Sequence, residues 1–311
     1  MKKSVFARSF AILLISCIFC SILSGCGSSS KSSSSEPPVY SPLRVLVPEA
    51  PGSDTLGSSP LTLDVSNITQ GYFAAQSDSA DLVTSLQITA PTGVLYSYFI
   101  EPVENAVIPF TEGDGDYTVV GYQQIQGDQY AALYSETLTV ELENEFLPFL
   151  YPNQYVNFSP DSEASKLALS MVSENTSDID ALKQIYNYVV NNLSYDYDKA
   201  ETVETGYLPD VDETLSTKTG ICFDYAALTT AMLRSCDIPC KLQIGYTGDI
   251  KHAWIDVYIR SKGWVTNAVS FNGDSWSLMD PTFDSSADSD DSEEFQDYIG
   301  NADNYTVQFT R

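Results

Sequence analysis

The sequence predicts an α+β protein in which an all-β sandwich precedes a domain of mixed helices and strands. From Leu61 to Leu142, short runs rich in Val, Ile, Thr and Tyr are separated by Gly, Pro, Asp and Asn turns, the spacing of a β-sandwich. From Ser159 onward apolar residues recur at i, i+3 and i+4, so helices begin there. From Lys251 the period returns to two, so strands follow the helices. A chain of 311 residues suits two folded domains, at 59–150 and 151–311, after a leader at 1–25 and a tether at 26–58.

The leader is read first. Met1-Lys2-Lys3 and Arg8 precede an apolar run from Phe10 to Leu23 that closes on Leu23-Ser24-Gly25-Cys26. A basic start, an apolar centre and a small-residue cleavage site make a secretory signal peptide; the run is shorter than the ~20 residues of a membrane span. The four residues ending at Cys26 resemble a bacterial lipobox, which implies cleavage before Cys26 and its acylation. The expected address is therefore extracytoplasmic, lipid-anchored to the cell membrane. Residues 27–42, Ser-rich with Pro37-Pro38, are too polar for a core and read as a flexible tether.

The formal charge is −27. Loss of the leader removes three of the 15 basic residues and none of the 42 acidic ones, leaving −30. Nucleic acid is excluded as a partner on these grounds. Of six cysteines, Cys17 and Cys20 leave with the signal and Cys26 takes lipid, so Cys222, Cys236 and Cys240 remain. No disulfide framework is implied; Cys236 and Cys240, four apart across Pro239, could pair, but a pair there needs special geometry and two packed thiols are favoured. One histidine and separated cysteines give no zinc spacing, and no cofactor is called for.

The sandwich strands are expected at Leu61–Val65, Leu82–Ile88, Val94–Ile100, Tyr117–Ile125, Tyr130–Tyr134 and Thr137–Leu142. Gly115-Asp116-Tyr117 before a strand is like the tyrosine corner of immunoglobulin-like sandwiches. Helices follow Tyr151-Pro152. Ser159 before Pro160 suits an N-cap with proline at the first helical position, opening a helix through Leu167, Leu169, Met171 and Val172. A second helix starts near Ser177, with Ile179, Leu182, Tyr186, Val189, Val190 and Leu193 on one face. Residues 200–219 lack clear periodicity and read as a long loop able to cover a cleft. The acidic run 284–297 reads as a solvated loop, since it lacks calcium-loop spacing.

Between Gly220 and Asp284 lies a candidate site. The stretch after Gly220 is rich in helix formers, which puts Cys222 in a first helical turn, where the helix N-terminus stabilises a thiolate. Gly220 allows the backbone close approach to a substrate. Lys251 to Arg260 alternates as a strand with His252, Trp254, Asp256 and Tyr258 on one face. Asn272-Gly273 signals a tight hairpin between Val265–Phe271 and Trp276–Met279, after which Asp280-Pro281 ends the strand. Two adjacent strands would then carry His252 and Asp280 side by side, facing the helix of Cys222. A nucleophile, a base and an orienting acid in this order suit thiol acyl transfer. Taken singly, a cysteine is most often a small buried hydrophobe and a histidine a satisfied core or surface residue; the joint pattern argues otherwise.

At these residues the chain resembles the transglutaminase-like superfamily, whose motifs G-x-C-x-D-Y-A, H-A-W and D-P-T stand unbroken at Gly220–Ala226, His252–Trp254 and Asp280–Thr282. Leu233-Arg234 and Ile238-Pro239 fit the family's helix exit, and Tyr195-Asp196-Tyr197-Asp198 fits the segment before the catalytic helix. The resemblance implies a papain-like α+β fold with Cys222 as nucleophile, His252 as base and Asp280 as orienting acid. It implies action on protein or peptide amides at the cell envelope, by hydrolysis or transamidation. The alternative is a catalytically silent surface module that binds peptide or glycan.

Overall fold

Strict alternation of buried and exposed residues, as in Leu95–Ile100, builds the N-terminal half from antiparallel sheets. The computed structural model describes residues 44–79, 81–102, 105–266, 269–271, 276–278 and 305–311. The signal segment, Cys26, the tether up to residue 43, Asp280 and the acidic run 284–297 lie outside the described residues.

The strands of the N-terminal half are β1 (Thr55–Ser58), β2 (Leu61–Asp64), β3 (Tyr72–Ser77), β4 (Thr84–Thr89), β5 (Leu95–Ile100), β6 (Ala106–Pro109), β7 (Gly115–Gln126) and β8 (Gln129–Val140). They form two four-stranded sheets, ordered β1-β2-β3-β6 and β5-β4-β7-β8. Leu61, Leu63, Phe73 and Ile108 of the first sheet share one core with Leu86, Tyr98, Val119 and Leu138 of the second. The Tyr117 hydroxyl donates to the Gly113 carbonyl at 2.8 Å and accepts from the Glu112 N–H at 3.1 Å, the corner expected from the sequence.

Three strands of the N-terminal half escaped the sequence reading, β1, β3 and β6. β3 is buried at five of six positions, so it has no alternation to detect. The two runs expected at Tyr130–Tyr134 and Thr137–Leu142 are one strand, β8, which pairs with β7 across a register shift at Gly121/Tyr122. The last part of the expected tether is also structured. Val45 is buried against the C-terminal core, the Glu49 N–H donates to the Tyr72 hydroxyl at 2.8 Å, and β1 pairs with β2.

The C-terminal half holds α1 (Glu163–Met171), α2 (Asp178–Asn192), β9 (Ser194–Tyr195), α3 (Tyr197–Thr202), α4 (Val211–Thr217), β10 (Thr219–Gly220), α5 (Cys222–Ser235), β11 (Cys240–Thr247), β12 (Ile250–Ile259), β13 (Gly263–Val265), β14 (Val269–Phe271), β15 (Trp276–Leu278) and β16 (Tyr305–Thr310). The first helix does not start at Ser159. The Ser159 and Ser162 backbones and side chains bond one another in a turn that contains Pro160, so helical pairing begins only at Glu163. α2 starts as expected, with Ser177 Oγ accepting from the Asp180 N–H. The expected loop at 200–219 contains the end of α3 and all of α4, whose N-caps Asp196 and Asp210 accept from backbone N–H groups of the first turn.

α5 is buried along its whole length from Asp224 to Ser235 and forms the axis of this half. α1, α2 and α4 pack on it, as do β11 and β12 of the sheet β13-β12-β11-β16. The two halves are joined at Arg311, whose guanidinium lies 4.5, 4.8 and 4.3 Å from the ring centres of Tyr96, Tyr98 and Tyr155.

Candidate active site

Cys222 is the first residue of α5 and is partly exposed, whereas Cys236 and Cys240 are buried and neither forms a disulfide. The N-cap residue Ile221 has no side-chain acceptor, so Asp224, at the third helical position, folds back and accepts from the Ile221 N–H at 2.8 Å. This requires Gly220. A Cβ there would lie 2.6 Å from Asp224 Cβ and 2.9 Å from its Oδ2, so the glycine makes room for the capping carboxylate rather than for a substrate. Gly220 is itself held by the Asp196 N–H, which donates to its carbonyl at 2.9 Å, and by parallel pairing of β10 with β9.

The Asp224 side chain is fully buried yet carries further partners. Lys199 Nζ donates to Oδ2 at 2.8 Å and the Tyr207 hydroxyl donates to Oδ1 at 2.5 Å. Lys199 also donates to the Tyr207 oxygen at 2.7 Å, closing a triangle. Burial and the bond to Asp224 push the Tyr207 phenol up to about 12, so it stays a neutral donor. Burial alone would lower Lys199, but its bonds to Asp224 and Tyr207 outweigh that and keep it raised and cationic. One signal in the sequence points to this cluster, a carboxylate at the third position of a helix with an apolar N-cap. Nothing marked Lys199 or Tyr207 in advance.

His252 is 5% exposed on β12, opposite Gly245 of β11. Its ring lies 6.2 Å from that of Trp254 at an interplanar angle of 15°, and 6.2 Å from that of Tyr305 on β16. Trp254 and Tyr305 meet edge to face at 5.2 Å, completing an aromatic wall around the imidazole. That wall depends on Gly245, where a Cβ would sit 1.9 Å from the Thr306 carbonyl oxygen.

The elements carrying Cys222 and His252 are direct neighbours, since α5 packs on β12. The expected orientation of the strand needs correction. Ala253, Ile255, Val257 and Ile259 share the core with Leu228 and Met232 of α5, so by alternation the face bearing His252 and Trp254 is turned from the body of the helix. Among the described residues β15 pairs with β14, Phe271 opposite Trp276, and β12 pairs with β11 and β13; the expected Asn272-Gly273 turn lies outside the described residues. Asp280 itself lies outside the described residues.

At the far end of α5 the environment is opposite. Arg234 is 1% exposed and spends its guanidinium on carbonyls, donating to Cys240 O from Nε and Nη2, to Tyr151 O from Nη1 and to Arg311 O from Nη2. Burial pushes both the Cys236 and Cys240 thiols up to about 12, so they stay protonated and inert. Burial likewise raises Asp237, just past the helix, to about 6. Among the described residues no three His, Cys, Asp or Glu side chains gather as a metal site.

Residues 165–281 match the transglutaminase-like superfamily. The protein YebA of Bacillus subtilis is 24% identical over 183 residues, covering 51% of this chain and 25% of that protein. The UPF0252 protein of Methanocaldococcus jannaschii is 40% identical over 62 residues, 18% of each. The chain thus spans well under half the length of either relative. A solved structure of a candidate cysteine protease from Cytophaga hutchinsonii is similar at 16% identity and a TM-score of 0.38, with 77% of this chain and 83% of that one covered. The matched segment runs from α1 past β15 and takes in Cys222, His252 and Asp280, so it is in this part of the chain that the similarity to the transglutaminase-like superfamily lies.

Proposed function

We propose that the protein is a lipid-anchored, extracytoplasmic cysteine enzyme that transfers the acyl group of a protein or peptide amide to water or to an amine. The observation that carries this reading is the placement of a partly exposed cysteine at the first residue of a buried helix that packs on the strand of His252, within a transglutaminase-like domain.

In this reaction the Cys222 thiolate, favoured by the helix N-terminus, attacks the amide carbonyl carbon. The backbone N–H of Cys222 is directed at the oxyanion that forms. His252, in its protonated form, gives its proton to the leaving amine as the C–N bond breaks, leaving a thioester on Cys222. His252 then takes a proton from water or from an incoming amine as that nucleophile attacks the thioester, which releases the acyl group and restores the Cys222 thiolate and the protonated His252. Asp280 orients the imidazole and stabilises its cation. No cofactor enters these steps.

The two N-terminal sheets are read as an immunoglobulin-like sandwich, supported by their strand order and the Tyr117 corner. Acylation of Cys26 after removal of residues 1–25 would anchor the protein outside the cytoplasm. The functional test is product mass after incubation with a glutamine peptide and a primary amine. Loss of ammonia with gain of the amine identifies transamidation, conversion of glutamine to glutamate identifies deamidation, and chain cleavage identifies peptidase action. An unchanged peptide, with every substrate tried, would overturn the enzymatic reading in favour of a binding module.

A further inference from the structure

Helix α5 begins with a thiol and, two residues later, a carboxylate that is fully buried. The two sit badly together. A thiolate at residue 222 is favoured by the helix dipole but repelled by an anion at residue 224, and inside a protein such repulsion is screened far less than in water. The carboxylate cannot be dispensed with, because Ile221 offers no cap and the Ile221 N–H bonds Asp224. The negative charge must be balanced locally.

Lys199 supplies that balance. Its ammonium is 2.8 Å from Asp224 Oδ2, and the side chain is only 32% exposed, so the pair is poorly screened. The Tyr207 hydroxyl takes the second carboxylate oxygen, and its ring meets that of Phe223, the residue after the thiol, edge to face at 6.3 Å. Both groups come from the segment between α2 and α4. Other titratable groups at this end of the helix include Asp196, whose backbone bonds Gly220, Tyr195, which pairs with Gly220 between β9 and β10, and Tyr155, whose ring lies 6.2 Å from that of Phe223. Arg234, Cys236 and Cys240 lie at the opposite end.

We propose that Lys199 and Tyr207 are positioning residues that neutralise and fix Asp224, so that the segment preceding α5 sets the reactivity of Cys222. The inference rests on the assignment of Cys222 as nucleophile. It gives the covering segment a chemical task. If residues 197–207 are displaced, the cap is left as an unpaired buried anion beside the thiol, and the nucleophile is switched down without any change to the triad.

The test is the rate of Cys222 carboxamidomethylation by iodoacetamide at pH 7, followed by peptide mass mapping of the full chain, with circular dichroism as a check on folding. Lys199→Met is expected to slow labelling about tenfold, the effect of a one-unit rise in thiol pKa. Lys199→Arg, which restores the cation, should recover most of the rate, a rescue that loss of packing would not show. Tyr207→Phe keeps the ring on Phe223 and removes one donor, and should slow labelling about threefold, the share of one neutral hydrogen bond. Wild-type labelling rates in folded Lys199→Met overturn the proposal; if that variant does not fold, an unchanged rate in Tyr207→Phe overturns it. A wild-type protein that labels Cys222 no faster than Cys236 and Cys240 overturns the nucleophile assignment and this inference with it.

Discussion

The two ends of α5 carry the same kinds of side chain and treat them in opposite ways. At the N-terminal end stand a thiol, an aspartate and a cation, Cys222, Asp224 and Lys199, with the thiol partly open to solvent. At the C-terminal end stand two thiols, an aspartate and a cation, Cys236, Cys240, Asp237 and Arg234, with both thiols sealed from water. At the first end the helix dipole and Lys199 favour anions; at the second the dipole opposes them and burial forbids them. Arg234 serves backbone carbonyls there, so it offers no ion pair to a thiolate. Residue type alone does not make a reactive site. The direction of one helix together with burial sets the partly exposed Cys222 apart from Cys236 and Cys240.

The largest expected break in this comparison is chemical. Cys222→Ala should abolish amide turnover, while Cys236→Ala in folded protein should leave it intact. His252→Ala should be nearly as severe as loss of the thiol and Asp280→Ala milder, and the Cys222→Ala, His252→Ala double variant should be no worse than Cys222→Ala alone. A turnover assay on each folded variant checks this ranking. Next comes labelling. With pKa values near 12, Cys236 and Cys240 hold a thiolate fraction of about 10⁻⁵ at pH 7. An alkylating reagent should therefore mark Cys222 in the native protein and all three thiols only in denaturant, as read by mass mapping.

Stability effects are smaller and separate the two ends. Arg234→Met removes four hydrogen bonds to three carbonyls, of which Arg311 O keeps the Leu242 N–H, and should cost about 3 kcal/mol by urea denaturation, while the labelling rate of Cys222 in the folded fraction stays as in wild type. Gly220→Ala forces a contact with Asp224 and should cost about 1–3 kcal/mol, this time with slower labelling of Cys222. The smallest effect concerns Asp237. Burial raises its folded pKa from the ordinary carboxylate value of 3.8 to about 6, so its contribution to stability is present in acid and lost as pH rises through about 6. Asp237→Asn, whose side chain tolerates the left-handed backbone found here at φ 59°, should raise the melting temperature at pH 7 more than at pH 4.

Much of this organisation was legible in the sequence because it rests on local signals. The first turn of α5, the Ser177 cap of α2, the Tyr117 corner and the span of β12 all follow from spacing within a few residues. What escaped was set by distant contacts. β3 is buried on both faces and has no period to read, and α3 and α4 are too short for periodicity although Asp196 and Asp210 mark their starts. Lys199 lies 25 residues from the carboxylate it balances. The orientation of His252 was misread for a different reason. Every residue of β12 from His252 to Val257 is buried, so alternation separated two faces without telling which of them meets the helix.

The cage around Arg311 bears on how the chain is made. Tyr96 and Tyr98 belong to a sheet whose strands are complete by Val140, and a ribosome delivers the N-terminal sandwich well before β16. The Thr111 side chain waits 199 residues for its carbonyl partner on Thr310, and the two rings wait a little longer for the guanidinium. During that interval Tyr96 and Tyr98 lack the guanidinium that covers them, and the Thr111 hydroxyl has only that of Tyr96, at 3.5 Å. β16 thus works as a latch, since it pairs with β11 in the sheet that carries His252 and is followed at once by Arg311, which lies over the rings of the first half.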